Sequence, residues 1–217
     1  FCRSLGPRLM ENRKPFVLKK TLMVYNSFQV LMSIYITYRR GFPTFIRLSN
    51  LFQMAAATWW YYFAKLTELL DTVFFVLRKK YNQVTFLHVY HHSLMAFFTS
   101  FNLFFTGGHS LLMGYLNSIV HVVMYTYYLL SGLGPEYQKY LWWKNHVTKI
   151  QLVQFVIVFV HNFMVFFYEC GYPRIINALS SINALCFIYM FGRFYIKSYM
   201  REKKEKSEIS KENEKSL

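Results

Sequence analysis

Three imidazoles fall within five residues in Leu87-His88-Val89-Tyr90-His91-His92-Ser93-Leu94-Met95, inside a run that is otherwise apolar. On a helix His88 lies one turn from both His91 and His92, so the three rings share one broad face. A single histidine in such a run reads as a satisfied core residue. Three together, in a segment long and apolar enough to cross a bilayer, read as a catalytic or metal site, because ionisable groups at that depth are costly and line interior cavities. Neutral imidazole, with an unperturbed pKa of about 6.5, can act there as nucleophile, acid or base.

Further polar residues interrupt other apolar runs. Lys65, Glu68 and Asp71 recur every third residue and spread over one helix face. They form either an internal Lys65–Glu68 salt bridge or a carboxylate that orients a histidine or a substrate group. Asn117 and His121 stand one turn apart and either bridge helices or partner the cluster. Gln154 and His161 share a face, with Gln151 one turn before Gln154; polar packing between helices is the plain alternative there. Arg78-Lys79-Lys80 and Lys144 are basic positions at segment ends, suited to anchoring topology or to holding phosphates of an anionic substrate.

Metal chemistry is weakly supported. Membrane di-iron desaturases and hydroxylases also carry His-x-x-His-His, but use about eight histidines in three boxes. This chain has seven histidines and a single box, with His109, His146 and His161 standing alone. A mononuclear site from His88, His92 and His121 is arithmetically allowed but lacks a carboxylate set to complete it. Cys2, Cys170 and Cys186 have no metal-ligand spacing and none lies near the box. No metal and no cofactor are therefore expected.

The elements that must position these groups read as transmembrane helices. The chain is 54% hydrophobic and 21% aromatic over 217 residues, a composition foreign to a soluble domain of this size. Leu22–Tyr38, Val84–Phe105, Leu111–Leu133, Ile150–Tyr168 and Ile175–Ile196 each approach the length of a span, and Met54–Leu77 is a sixth with charges inside. The first of these reads as an ordinary apolar helix, and Arg39–Ser49 after it as a short lumenal turn. All prolines fall between the segments. The expected fold is all-α and polytopic, with six complete spans over residues 1–200 and a disordered cytosolic basic tail over residues 201–217. Basic residues before Leu22, at Arg78–Lys80, at Lys139 and Lys144 and in the tail place these on the cytosolic side. The first residue is Phe, which predicts a start inside a longer protein.

Several runs together resemble the very-long-chain fatty acid elongases of the endoplasmic reticulum. They are Gly6-Pro7 with Met10-Glu11-Asn12-Arg13-Lys14-Pro15-Phe16; Lys65-Leu66-x-Glu68-Leu69-x-Asp71-Thr72 running to Lys80; and Leu87-His88-Val89-Tyr90-His91-His92. Asn117-Ser118-x-Val120-His121, Gln138-Lys139-Tyr140-Leu141-Trp142-Trp143-Lys144 and Thr148-x-x-Gln151-Leu152-x-Gln154-Phe155 complete the series in family order. The family has seven spans, so the resemblance implies that the first is missing or partial here. It implies a narrow substrate tunnel between the helices, condensation of a long-chain acyl-CoA with malonyl-CoA to 3-ketoacyl-CoA, CO2 and CoA, and an acyl-imidazole on the box. His91 is the implied nucleophile. His121 with Asn117 would position the malonyl group, and His88 and His92, supported by Asp71, Glu68 and Gln154, would set tautomers and shape. CoA phosphates would lie near Arg78, Lys79, Lys80 and Lys144; Lys65, Glu68, Gln151 and His161 complete the expected substrate-binding set.

Implied partners are the two CoA thioesters, the lipid bilayer and the other enzymes of the elongation cycle, with no nucleic acid; a homo-oligomer is allowed but not specified. The implied location is the endoplasmic reticulum membrane, multi-pass, with a cytosolic C-terminus. From the residues alone, a small transporter using Lys65, Asp71 and the histidines as a proton relay is the other reading.

Overall fold

In the computed structural model residues 5–46, 51–104, 108–168 and 173–200 are described. They form α1 (Leu5–Leu9), α2 (Lys19–Ile46), α3 (Leu51–Glu68), α4 (Leu70–Leu77), α5 (Phe86–Asn102), α6 (Gly108–Leu133), α7 (Lys144–Val165) and α8 (Arg174–Tyr195). Short 3-10 helices at Tyr81–Gln83 and Pro135–Tyr140 link them, and a π-helical turn, Ile196–Met200, extends α8. No strand occurs among the described residues, as the all-α expectation requires. The expected tail, Cys2, Cys170, Phe105 and Arg47 lie outside the described residues.

The chain divides into two compact units, Phe1–Leu141 and Trp142–Leu217. In the first, α2 packs along α6, and α3 meets α2, α5 and α6. In the second, α7 packs on α8 through Phe155, whose ring lies 5.1 Å from Phe187 and 5.0 Å from Phe191. There the Asn177 amide also donates to the Asn162 carbonyl at 2.8 Å.

The side-chain pattern of α2 is inside-out. Gln29 is 1% exposed and Asn26, Ser33 and Arg40 are buried, whereas Val24 is 71% exposed and Leu31, Ile34 and Tyr38 also face outward. A soluble helix does the reverse. A helix surrounded by lipid turns its polar groups toward protein, because nothing outside can hydrogen-bond them. α7, and α8 with its π turn, are long and apolar enough to cross a bilayer by length and composition alone. The interior polar residues of α2, α3 and α6 dilute their hydropathy, so these helices do not reach that standard. Helical content, apolar outer faces and two clear spans are together the features of a membrane protein.

Four local expectations change. α2 is not ordinarily apolar, since it buries a polar stripe. It continues as helix through Arg39, Arg40 and Gly41 to Ile46, so the expected turn there is helical as far as it is described. Prolines are not confined between segments: Pro43 lies within α2, where it removes one backbone donor without ending the helix, and Pro7 lies in α1. The expected single segment Met54–Leu77 is two helices. They meet at Leu69, whose N–H bonds Leu66 O at 3.2 Å, a 3-10-type tightening of one turn.

The end of α4 is built without glycine. Lys79 has φ 54°, the left-handed conformation usually given to Gly. Its N–H bonds Val76 O at 3.0 Å, and Lys80 N–H bonds Phe75 O at 2.9 Å, the paired bonds of a Schellman ending. The N-terminal segment straps this corner: Lys79 Nζ donates to Glu11 O at 3.2 Å and Phe16 N–H to Leu77 O at 3.0 Å.

Candidate active site

Four helices of the first unit bring the buried polar residues together. On α3 and α4, Tyr61, Lys65, Glu68 and Thr72 are buried at spacings of one helical turn, forming a polar stripe beside Ala57, Thr58 and Ala64. On α6, Asn117, His121 and Tyr125 are buried on one face with Gly114. On α5, the histidines occupy the first two turns. Thr85 sets that start: it is extended (φ −74°, ψ 161°) and its Oγ1 accepts the His88 N–H at 3.1 Å, an N-cap. The helix therefore begins at Phe86, slightly later than the expected Val84, and His88 stands at a capped position.

Glu68 is the hub. Lys65 Nζ donates to its Oε1 at 2.7 Å, and His121 Nδ1 lies 3.0 Å from the same oxygen. Its other oxygen, Oε2, is 3.9 Å from His92 Nδ1, beyond hydrogen-bond reach but close enough for electrostatic attraction. Both alternatives read from the Lys65–Glu68–Asp71 spacing are thus present at once: an internal salt bridge and a carboxylate that orients a histidine. His121 Nδ1 is also 3.4 Å from Lys65 Nζ. The contact to the carboxylate is shorter and charge-assisted, so Nδ1 carries the proton and donates to Glu68. In that neutral tautomer Nε2 holds the lone pair.

The remaining groups are fixed around this hub. Asn117 Oδ1 accepts from Tyr61 OH at 2.9 Å, and Asp71 Oδ2 accepts from Tyr125 OH at 2.7 Å. Tyr25 OH donates to Thr67 O at 3.2 Å, and its ring meets those of Phe74 and Tyr125 edge-on. His88 Nε2 lies 3.1 Å from Thr72 Oγ1, and the His88 ring packs 5.1 Å from Phe75. The His88 and His92 rings are 4.4 Å apart and those of His91 and His92 5.3 Å apart; His91 and His92 are buried. Among the described residues no three His, Cys, Asp or Glu side chains are grouped as metal donors.

The structure thus sets a buried Lys–Glu–His cluster beside the histidine box, and the family of the chain follows from comparison. Residues 1–207 match the family model "ELO: GNS1/SUR4 family". This chain belongs to the ELO family. The ELO chain is 45% identical to a very long chain fatty acid elongase of Aedes aegypti over 94% of its own length and 62% of that protein. It is 43% identical to very long chain fatty acid elongase 7 of Drosophila melanogaster, over 95% of this chain and 68% of that one. With very long chain fatty acid elongase 7 of Rattus norvegicus the identity is 46%, over 93% of this chain and 77% of the other. The ELO chain thus spans less than two thirds of the length of the mosquito protein.

Of the expected site residues, the first unit of this ELO chain joins Lys65, Glu68 and His121 directly, with His92 Nδ1 3.9 Å from the Glu68 carboxylate and Asn117 one turn before His121 on α6. Asp71 is held by Tyr125, and His88 by Thr72. Arg78, Lys79 and Lys80 form the strapped corner after α4, and there Lys79 spends its ammonium on Glu11 O. The second unit carries Lys144 at the start of α7, then Gln151, Gln154 and His161 along it, with Gln154 buried. Tyr61, Thr72 and Tyr125 carry no expected site role in the sequence reading. The seven-residue steps from Tyr61 to Glu68 and from Lys65 to Thr72 were the available signal, since they put all four on the face of α3 and α4 that carries the charges.

Proposed function

We propose that this chain is the condensing component of a fatty acid elongase of the endoplasmic reticulum membrane, joining a long-chain acyl-CoA to malonyl-CoA through an acyl-imidazole. The observation that carries the reading is the Glu68 hub, which ties His121 of α6 to the charged stripe of α3, 3.9 Å from His92 of the box. In the first half-reaction a His91 ring nitrogen attacks the thioester carbonyl. A C–N bond forms, the C–S bond breaks, and the proton lost from the ring ends on CoA sulfur. In the second, malonyl-CoA loses CO2 and its enolate carbon attacks the acyl carbonyl. A C–C bond forms, the C–N bond breaks, and one proton from solvent restores neutral His91.

His121, with Nδ1 on Glu68 and Nε2 available, suits polarising or positioning the malonyl group, with Asn117 one turn away. Lys65 neutralises Glu68, so the carboxylate can orient an imidazole without standing as a lone buried charge. The six spans and the tunnel that would house the acyl chain belong to the same reading, with Arg78 and Lys80 of the first unit toward the CoA phosphates.

The test is formation of 3-ketoacyl-CoA in membranes bearing the full-length protein, with malonyl-CoA and acyl-CoAs of several lengths, parent against His91→Ala. Product from the parent alone supports the reading. Product from both removes His91 as nucleophile, and no product at any length from folded protein removes the condensation.

A further inference from the structure

A second buried cation lies outside the hub. Arg40, in the last part of α2, is 2% exposed. Its guanidinium carbon sits 4.4 Å from the centroid of the Tyr61 ring, and its Nη1 reaches Leu111 O of α6 at 3.5 Å. Lys65 Nζ lies 5.0 Å from the same ring centroid, so one aromatic ring attracts both cations. Tyr61 in turn donates its hydroxyl to Asn117.

The backbone is shaped for this contact. A Cβ added at Gly114 would collide with Arg40 Nη1, and one added at Gly41 would lie 2.6 Å from Tyr115 Cε2. Arg40-Gly41 on α2 therefore meets Gly114-Tyr115 on α6, each helix offering a glycine to the bulky neighbour on the other. Such a reciprocal fit admits one register of α2 on α6. Asn117 follows Gly114 by one turn and His121 by two, so this register sets where both stand against α3.

We propose that Arg40 is a positioning residue for the condensing site: seated on Tyr61 and in the notch at Gly114, it holds the Tyr61 hydroxyl on Asn117 and locks α6 so that His121 meets Glu68. This rests on the condensation reading above. Lysine cannot substitute, because the planar guanidinium both stacks on the ring and directs Nη1 to a carbonyl.

The test measures kcat and KM for condensation per folded enzyme, with the full-length protein in membranes. Tyr61→Phe and Arg40→Lys are expected to lower kcat by about 10- to 100-fold, with KM for acyl-CoA within about two-fold of the parent, as misplacement of reacting groups predicts. Gly114→Ala is expected to be costly in the parent but to cost little more in an Arg40→Met background, since the guanidinium it obstructs is gone. Parental kcat in Tyr61→Phe, or strictly additive Arg40 and Gly114 effects, would overturn the proposal. A merely structural arginine would lower the amount of folded protein at unchanged kcat. Should Arg40 variants fail to fold, Tyr61→Phe removes a single oxygen and still decides the matter. An inactive parent overturns the condensation reading and this proposal with it; an active parent with active Tyr61→Phe overturns this proposal alone.

Discussion

Replacing Glu68 with glutamine tests whether the hub is chemistry or only charge balance. Glu68 and Lys65 are both buried, 2.7 Å apart, and His121 adds a second contact at 3.0 Å to the same oxygen. Glu68→Gln keeps the shape but leaves Lys65 as a buried ammonium without its counter-charge. Breaking a buried pair from one side costs on the order of 3–5 kcal/mol, whereas removing both partners is often nearly neutral. Lys65→Met/Glu68→Gln should therefore recover most of the stability lost by Glu68→Gln, read as thermal unfolding in detergent. Turnover should not recover. Without the carboxylate the proton on His121 Nδ1 is no longer specified, and loss of a correctly poised acid–base group costs roughly 10²–10⁴-fold in rate. Malonyl-CoA-dependent CO2 release per folded enzyme reads that directly. If the double variant regains turnover together with stability, Glu68 is only the counter-ion of Lys65, and its orienting role is refuted.

Two further outcomes test the local architecture. Thr85→Ala should destabilise the protein by about 1 kcal/mol through loss of the cap on α5, and should raise hydrogen exchange at the His88 amide before that of later α5 residues. Lys79→Gly should be more stable than Lys79→Met by about 1 kcal/mol, because both lose the bond to Glu11 while only glycine relieves the left-handed backbone; equal stabilities would mean that position carries no backbone cost.

How much of the site could be read beforehand depended on contrast. Histidines, Lys65 and Glu68 stand out against apolar runs because each is expensive in a membrane, so the box and the α3 charges were legible from type and spacing alone. The pairing of Glu68 with His121 was not legible: the expectation set Glu68 and Asp71 beside His88 and His92, whereas Glu68 meets His121 at 3.0 Å and Asp71 takes the Tyr125 hydroxyl, contacts that join residues far apart in sequence on different helices. Tyr61, Thr72 and Tyr125 gave little signal: Tyr and Thr are common in membrane helices, and their roles arise only where α3 and α4 meet α5 and α6. Arg40 was masked by its neighbours. Arg39-Arg40-Gly41, followed by Pro43, has the composition of a turn, yet the notch at Gly114 and the ring of Tyr61 draw the arginine inside a continuing helix. The inversion of α2 was hidden for a related reason, because Asn26, Gln29 and Ser33 are too sparse to break an apolar run yet suffice to define its protein-facing side.

The most direct measurement withholds the second substrate. Full-length protein in membranes is given a long-chain acyl-CoA with no malonyl-CoA, released CoA is counted against enzyme, and the peptides are weighed. An acyl-imidazole requires about one CoA per active site, an acyl mass on the peptide bearing His91, and loss of that mass on adding malonyl-CoA, with 3-ketoacyl-CoA appearing in step. No CoA release until malonyl-CoA is present, with no acylated peptide at any stage, would contradict a covalent intermediate on the histidine box.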